Sequence, residues 1–325
     1  MRFIAITSIF PPTEAVRLFA GRDSHALIVA GDRKSPDTWE CAGAEFLDVQ
    51  TQLDSGFRLA SLLPFNHYCR KLIAYLTAVR RGATEIVDTD DDNLPYDDWS
   101  FPAFDAAYPT IGAQGYVNVY RRYTTAPIWP RGFPLSLITE SLQTPPETSA
   151  ESPCNVGIWQ GLADEDPDVD AVYRLTDDTP VTFAKAGPVV LESGAMCPFN
   201  SQNTAFRPEA FPLLYLPSTV TFRFTDILRG IVAQPILWAA GLQLGFLDAT
   251  VRQVRNPHDY MADFRSEVPM YLHGEQAFDI ARSTASSSFS VADNLHRVYE
   301  ALHTADIVQT EEITRLEAWL GDLTG

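Results

Sequence analysis

The chain reads as an α/β protein with parallel strand pairs. Runs of apolar and β-branched residues alternate with helical spacing along its first third, and each run closes in turn residues. "FIAITSI" ends at Pro11-Pro12 and predicts a first strand, "TEAVRLFAGR" a short helix capped by Thr13, and "ALIVAGD" a second strand closed by Gly31 and Asp32. From Asn66 the apolar positions Cys69, Leu72, Ile73, Leu76 and Val79 repeat at helical spacing, with Gly82 as a C-terminal cap, and "TEIV" supplies the next strand. Sheets of this kind bind ligands beyond the carboxyl ends of their strands. Asp88 stands at such an end.

Further along, "SLQTPPETSAESPCN" from Ser141 to Asn155 reads as an exposed loop, and "VADNLHRVYEALHTA" and "TEEITRLEAWLGDL" as two amphipathic helices, the second capped by Thr310. We therefore expect a main domain over residues 1–265 and a C-terminal helical extension over 266–325. "GIVAQPILWAAGLQLGFL" is the nearest approach to a membrane span, but Gln234, Pro235 and Gln243 interrupt it. It reads as a buried helix, with contact to a lipid-linked acceptor as the alternative.

With 325 residues, 46% hydrophobic and 20% charged, the chain can bury a full core. Its 24 Lys and Arg against 42 Asp and Glu give a formal charge of -18, a field that repels phosphate backbones and argues against nucleic acid as a partner. Cys41, Cys69, Cys154 and Cys197 lie far apart without a CxxC pair, which disfavours a zinc knuckle or a disulfide framework and suits the cytoplasm. The apolar start carries only Arg2 ahead of it and runs into two prolines, so a strand is expected there rather than a signal peptide.

Six aspartates, Asp88, Asp90, Asp91, Asp92, Asp97 and Asp98, crowd into one short segment after "TEIV". A strand that delivers two carboxylates one residue apart, followed by a loop, makes an oxygen site for Mg²⁺ or Mn²⁺ with positions left open for phosphate. Asp88 and Asp90 have this spacing, the DxD pattern of GT-A glycosyltransferases, in which one can face a nucleotide ribose while the other takes the metal; Asp88 is a candidate for both roles. A calcium-binding EF-hand loop fails here because Asn93 and Trp99 stand where Gly and Glu are needed, while a solvated acidic turn stays open as the plain alternative.

Several blocks together resemble the STELLO-type glycosyltransferases: "PFNHYCRKLIAYLTAVRRGATEIVDTDD", "WPRGFPL", "DPDVDAVYRLT", "PFNSQNT", "TVTFRFTDILRGIVAQPILW" and "RNPHDYMADF". A looser similarity connects them to the reversibly glycosylated polypeptides. The resemblance implies a GT-A fold, a Rossmann-like mixed sheet flanked by helices, with a nucleotide-sugar donor and a divalent metal. Uridine is the expected base, from its frequency among GT-A donors. On the same footing, Thr7, Ser8 and Asp32 are expected at the nucleoside, Asn66, Arg70 and Lys71 at the donor diphosphate, Arg131 and Gly132 in a loop over the sugar, and Asn200, Gln202 and Asn203 at sugar hydroxyls. Asp226 is the candidate base of an inverting transfer, with Arg229 beside it, and His258 the candidate to complete the metal shell of Asp88 and Asp90 or to touch the diphosphate, with a structural histidine as the alternative. For Asp226 an ion pair with Arg223 or Arg229 is the competing role.

The expected activity is metal-dependent transfer of a sugar from a nucleotide sugar to a glycan or other acceptor, a lipid-linked one among the candidates. A nucleotide-sugar mutase and a catalytically silent scaffold are the alternatives.

Overall fold

The computed structural model describes residues 1–254 and 259–325. Strand β1 (Arg2–Thr7) leads through Pro11-Pro12 into helix α1 (Glu14–Ala20), where Thr13 accepts the Val16 N–H as the sequence predicts. There follow β2 (Ala26–Ala30), β3 (Ala44–Leu47), α2 (Val49–Leu53), α3 (Lys71–Arg80) and β4 (Glu85–Thr89). Strands β3, β2, β1 and β4 lie side by side in that order, all parallel. This is the expected parallel half of the sheet.

The acidic segment is not all loop. Asn93–Pro95 forms β5, and after the short strands β6 (Asp105–Tyr108), β7 (Thr110–Ile111) and β8 (Gly115–Tyr116) come helices α4 (Tyr120–Tyr123) and α5 (Ile138–Ser141). The long β9 (Ser152–Asp164) starts inside the expected exposed loop, and α6 (Ala171–Thr176) follows it. Strands β10 (Val189–Leu191), β11 (Ala195–Met196) and β12 (Asn203–Phe206) precede α7 (Thr225–Ala239) and β13 (Gln243–Gln253). Among the described residues the main sheet runs β3-β2-β1-β4-β12-β9-β13-β10-β7, with β5 on β13 and β6 on β9. Beyond β4 its pairings are mixed, β12 being antiparallel to both β4 and β9.

The apolar run at 230–247 is divided: its first part is the buried end of α7, and its last residues are strand β13. Gly241, with φ 69, turns the chain between them, a left-handed conformation that favours glycine. No helix among the described residues is long and apolar enough to cross a membrane.

Helices α8 (Tyr260–Thr284), α9 (Val291–Thr304) and α10 (Thr310–Thr324) close the chain. Thr310 is the first residue of α10 rather than its cap, which is Gln309. Helix α8 runs through residue 265, and Leu295, Val298, Leu316 and Trp319 share one apolar core with Phe3, Leu72 and Ile231. Buried Glu312 accepts the backbone N–H groups of Ser218 and Thr219, and Asp322 accepts those of Arg58 and Leu59. The terminal helices are thus fastened to the sheet domain by apolar burial and by carboxylates that satisfy loop N–H groups.

Candidate active site

A cavity of about 260 Å³ opens beyond the carboxyl ends of β1 and β4. Thr7, Asp90, Asp91 and Asp92 line one side, Arg131, Asp168, Arg223 and Asp226 another, and Tyr68, Ser201, Gln202, Phe222 and Gln253 the remainder. The position obeys the rule for parallel strands.

The two aspartates of the DxD pair have different surroundings. Asp88 is fully buried, with Lys71 Nζ 2.8 Å from one carboxylate oxygen and an Arg229 nitrogen 2.7 Å from the other. Both oxygens are taken up by the protein's own cations, so this arrangement corrects the expectation that Asp88 ligates metal. It serves instead as the counter-ion that holds Lys71 and Arg229. Lys71 also donates to Thr89 O and to Asp90 Oδ1 at 2.9 Å, which places its charge beneath the acidic loop rather than at the cavity surface. Burial alone would lower the Lys71 pKa, but Asp88 and Asp90 win and raise it, so the ammonium is retained.

Asp90 keeps 38% of its side chain exposed, so of the pair it is the one that meets the cavity. Its pKa is pushed up to about 7, by burial first, with Lys71 opposing and the Asp92 and Asp88 charges adding to the rise. Asp91 turns to Ser8, whose hydroxyl donates to it, and the Asp91 carbonyl accepts the Thr13 hydroxyl at 2.6 Å. Asp92 accepts from Gln253 Nε2 at 3.1 Å, and its carbonyl accepts the Val254 N–H. Asp97 and Asp98, beyond β5, are exposed.

No three His, Cys, Asp or Glu side chains among the described residues converge as a closed metal cage. An open site of one or two carboxylates that phosphate oxygens complete is the usual arrangement for Mg²⁺ and suits Mn²⁺. Asp90 and Asp92 on the cavity wall fit it. His258 lies outside the described residues.

Across the cavity Arg131 clamps two carboxylates, donating through Nε to Asp168 Oδ1 and through Nη2 to Asp226 Oδ2, each at 2.8 Å, and through Nη1 to the Arg223 carbonyl. Gly132 permits this loop. Its φ is 86, and a Cβ there would collide with Ile227 Cγ2, so the glycine is needed for close packing rather than for flexibility. Asp226 also accepts the Ser201 N–H. Burial would raise its pKa, yet Arg131, Arg229 and Arg223 hold it below the ordinary carboxylate value. That is the reverse of the tuning a general base needs, and it favours the competing role, an ion pair, though with Arg131.

Other expected residues lie elsewhere. Asp32 spends both oxygens on the backbone N–H groups of Arg33 and His67, which fixes the turn after β2. Asn66 is exposed with φ 55, a turn residue. Arg70, one residue from Lys71, points away from the cavity to Gln52 Oε1 and the Ala60 carbonyl. Asn200 accepts the Gln202 N–H and does not line the cavity, and Asn203 is buried in β12 between Thr250 and Trp99. Arg229 stays behind the wall with Asp88 and the Asn200 carbonyl. Thr7, Ser201 and Gln202 do reach the cavity.

Sequence reasoning did not single out Asp168, Tyr68, Ser201 or Phe222 as site residues. Asp168 belongs to "DPDVDA", where three aspartates alternate, and nothing in that spacing says which one faces a ligand.

Residues 223–325 match the model of a family described as STELLO glycosyltransferases. The chain is similar over 99% of its length to two Arabidopsis thaliana proteins, probable glycosyltransferase STELLO2 at 28% identity and probable glycosyltransferase STELLO1 at 26%. It spans 44% of the length of each of these relatives. Among solved structures, glucosyl-3-phosphoglycerate synthase from Mycobacterium tuberculosis with Mn²⁺ and UDP-glucose aligns at a TM-score of 0.40 and 13% identity, over 88% of this chain and 79% of that one. A mycobacterial protein aligns at a TM-score of 0.41 and 12% identity, over 84% of this chain and 74% of its own.

Proposed function

We propose that this chain is a GT-A-type glycosyltransferase that moves a sugar from a nucleoside-diphosphate donor, with uridine as the base, to a glycan or other hydroxyl-bearing acceptor. The observation that carries the reading is one cavity that brings the acidic loop 90–92 together with the Arg131–Asp168–Asp226 clamp beyond the ends of β1 and β4. Similarity over nearly the whole chain to two proteins named probable glycosyltransferases points the same way.

In this reading Asp90 and Asp92 hold Mn²⁺ or Mg²⁺. The bound cation supplies Lewis-acid stabilisation of the charge that builds on the leaving diphosphate. Lys71 and Arg229 keep Asp88 neutralised beneath the loop, so the acidic segment stays in place before ligand arrives. Thr7 lies at the end of β1 on the nucleoside side, and Arg131 is fixed by two carboxylates before the donor binds, which spares reorganisation. The lowered Asp226 pKa fits a positioning role for that carboxylate and a transfer that does not depend on it as base.

Thermal unfolding with UDP, GDP or CMP, each with and without Mn²⁺, tests the reading. A ligand at 100 times its dissociation constant stabilises by about 2.7 kcal/mol, and UDP with Mn²⁺ is expected to do so. Protection by GDP or CMP alone overturns the base assignment. Conversion of the donor with no acceptor present makes the protein a mutase.

A further inference from the structure

Three residues of the cavity wall each carry a buried polar atom with no hydrogen-bond partner among the described residues: Asp168 Oδ2, Ser201 Oγ and Tyr68 Oη. Asp168 is 8% exposed and Ser201 3%. A buried polar atom left unpaired costs on the order of 1–3 kcal/mol, so three around one cavity mark groups kept ready for a ligand.

Their chemistry narrows the ligand. Asp168 gives only one oxygen to Arg131, and the other is an acceptor that repels phosphate or carboxylate. Ser201 and Tyr68 each donate and accept, and burial keeps the Tyr68 proton on by raising its pKa well above the ordinary value. Arg131 already neutralises Asp168 through its other oxygen, so the remaining oxygen does not call for a cation. What remains is a neutral group rich in hydroxyls. The Tyr68 ring packs edge-on against Phe222 at 5.0 Å, and Phe222 is 55% exposed, which gives the subsite an apolar side.

Resting on the glycosyltransferase reading, we propose that Asp168, Ser201 and Tyr68 form the subsite for the donor sugar, Asp168 accepting from one sugar hydroxyl while Ser201 and Tyr68 bond to others. These residues then set which sugar is carried, while the acidic loop across the cavity serves the diphosphate.

Calorimetric titration with Mn²⁺ present, using UDP and a panel of UDP-hexoses and UDP-pentoses, tests this on the wild type, Ser201→Ala, Tyr68→Phe and Asp168→Asn. The wild type is expected to bind its best UDP-sugar more tightly than UDP. Ser201→Ala and Tyr68→Phe should each lose roughly five- to tenfold of that margin, the worth of one hydrogen bond, while their affinity for UDP stays within about twofold; Asp168→Asn, which also weakens the buried pair with Arg131, should lose at least as much of the margin. Ser201→Ala and Tyr68→Phe delete hydroxyls without partners, so their unliganded melting temperatures should be unchanged or higher, an outcome that a structural role would not give. A margin intact in all three variants overturns the subsite while leaving UDP binding in place. Parallel loss of UDP binding in Ser201→Ala and Tyr68→Phe also overturns it, since these residues would then serve the nucleotide or the fold. No binding of UDP by the wild type removes the glycosyltransferase reading itself, and the subsite with it.

Discussion

Lys71 Nζ lies 2.8 Å from Asp88 Oδ1, and both side chains are fully buried. Arg229 takes the other oxygen of Asp88 at 2.7 Å. Removing one member of a buried pair strands the charge of the other, at a cost of about 3–5 kcal/mol. Lys71→Met and Asp88→Asn should each lower unfolding stability by that order in a urea titration, with Asp90→Asn near neutral or slightly stabilising because it removes a crowded carboxylate. Equal midpoints for Asp88→Asn and Asp90→Asn would show that the two aspartates do not differ as described.

Gly132→Ala should cost about 1–3 kcal/mol, because the residue stands at φ 86 and the new methyl meets Ile227. The same change shifts Arg131, so activity should fall as well. Unfolding curves alongside initial rates check both, and a fully stable, fully active variant would remove the packing argument.

Asp170 caps α6, accepting from Trp129 Nε1 at 2.7 Å and from the Tyr173 N–H at 3.0 Å, and is fully buried. Burial pushes its pKa up to about 6 against those hydrogen bonds, with the Glu267 charge adding to the rise. A carboxyl whose folded pKa lies above its unfolded value binds more protons when folded. Its contribution is therefore largest below about pH 4 and is lost as pH rises through about 6. The stability difference between wild type and Asp170→Asn should change by on the order of 2 to 3 kcal/mol across that window, against the wild type as pH rises. Asp90 titrates in both proteins and cancels. A flat difference would show that Asp170 does not carry the shift.

The parallel half of the sheet was legible because each of its strands and helices carries its own apolar period and end signals, as with Thr13 and Gly82. Strand β5 was not, since three residues ending in Pro95 have no period, and only their pairing with β13 makes them a strand. Sequence adjacency also misplaced side chains. Lys71 points under the acidic loop and Arg70 points to Gln52, because a helical turn rotates successive residues apart by about 100°. Ser201 reaches the cavity while Asn203, inside a strand, bonds Thr250. The acidic loop was visible as a cluster, but which of its carboxylates the protein's own cations would claim depended on Arg229, more than a hundred residues away in sequence.

Calorimetric titration of UDP with Mn²⁺ into the wild type, Asp90→Asn and Asp97→Asn weighs the acidic loop as a metal and diphosphate site most directly. Metal-dependent UDP binding should be present in the wild type, unchanged in Asp97→Asn, whose side chain is exposed beyond β5, and lost in Asp90→Asn, with the unliganded Asp90→Asn protein as stable as the wild type. Undiminished metal-dependent binding in Asp90→Asn, or an equal loss in Asp97→Asn, would contradict it and return the segment to a solvated acidic turn.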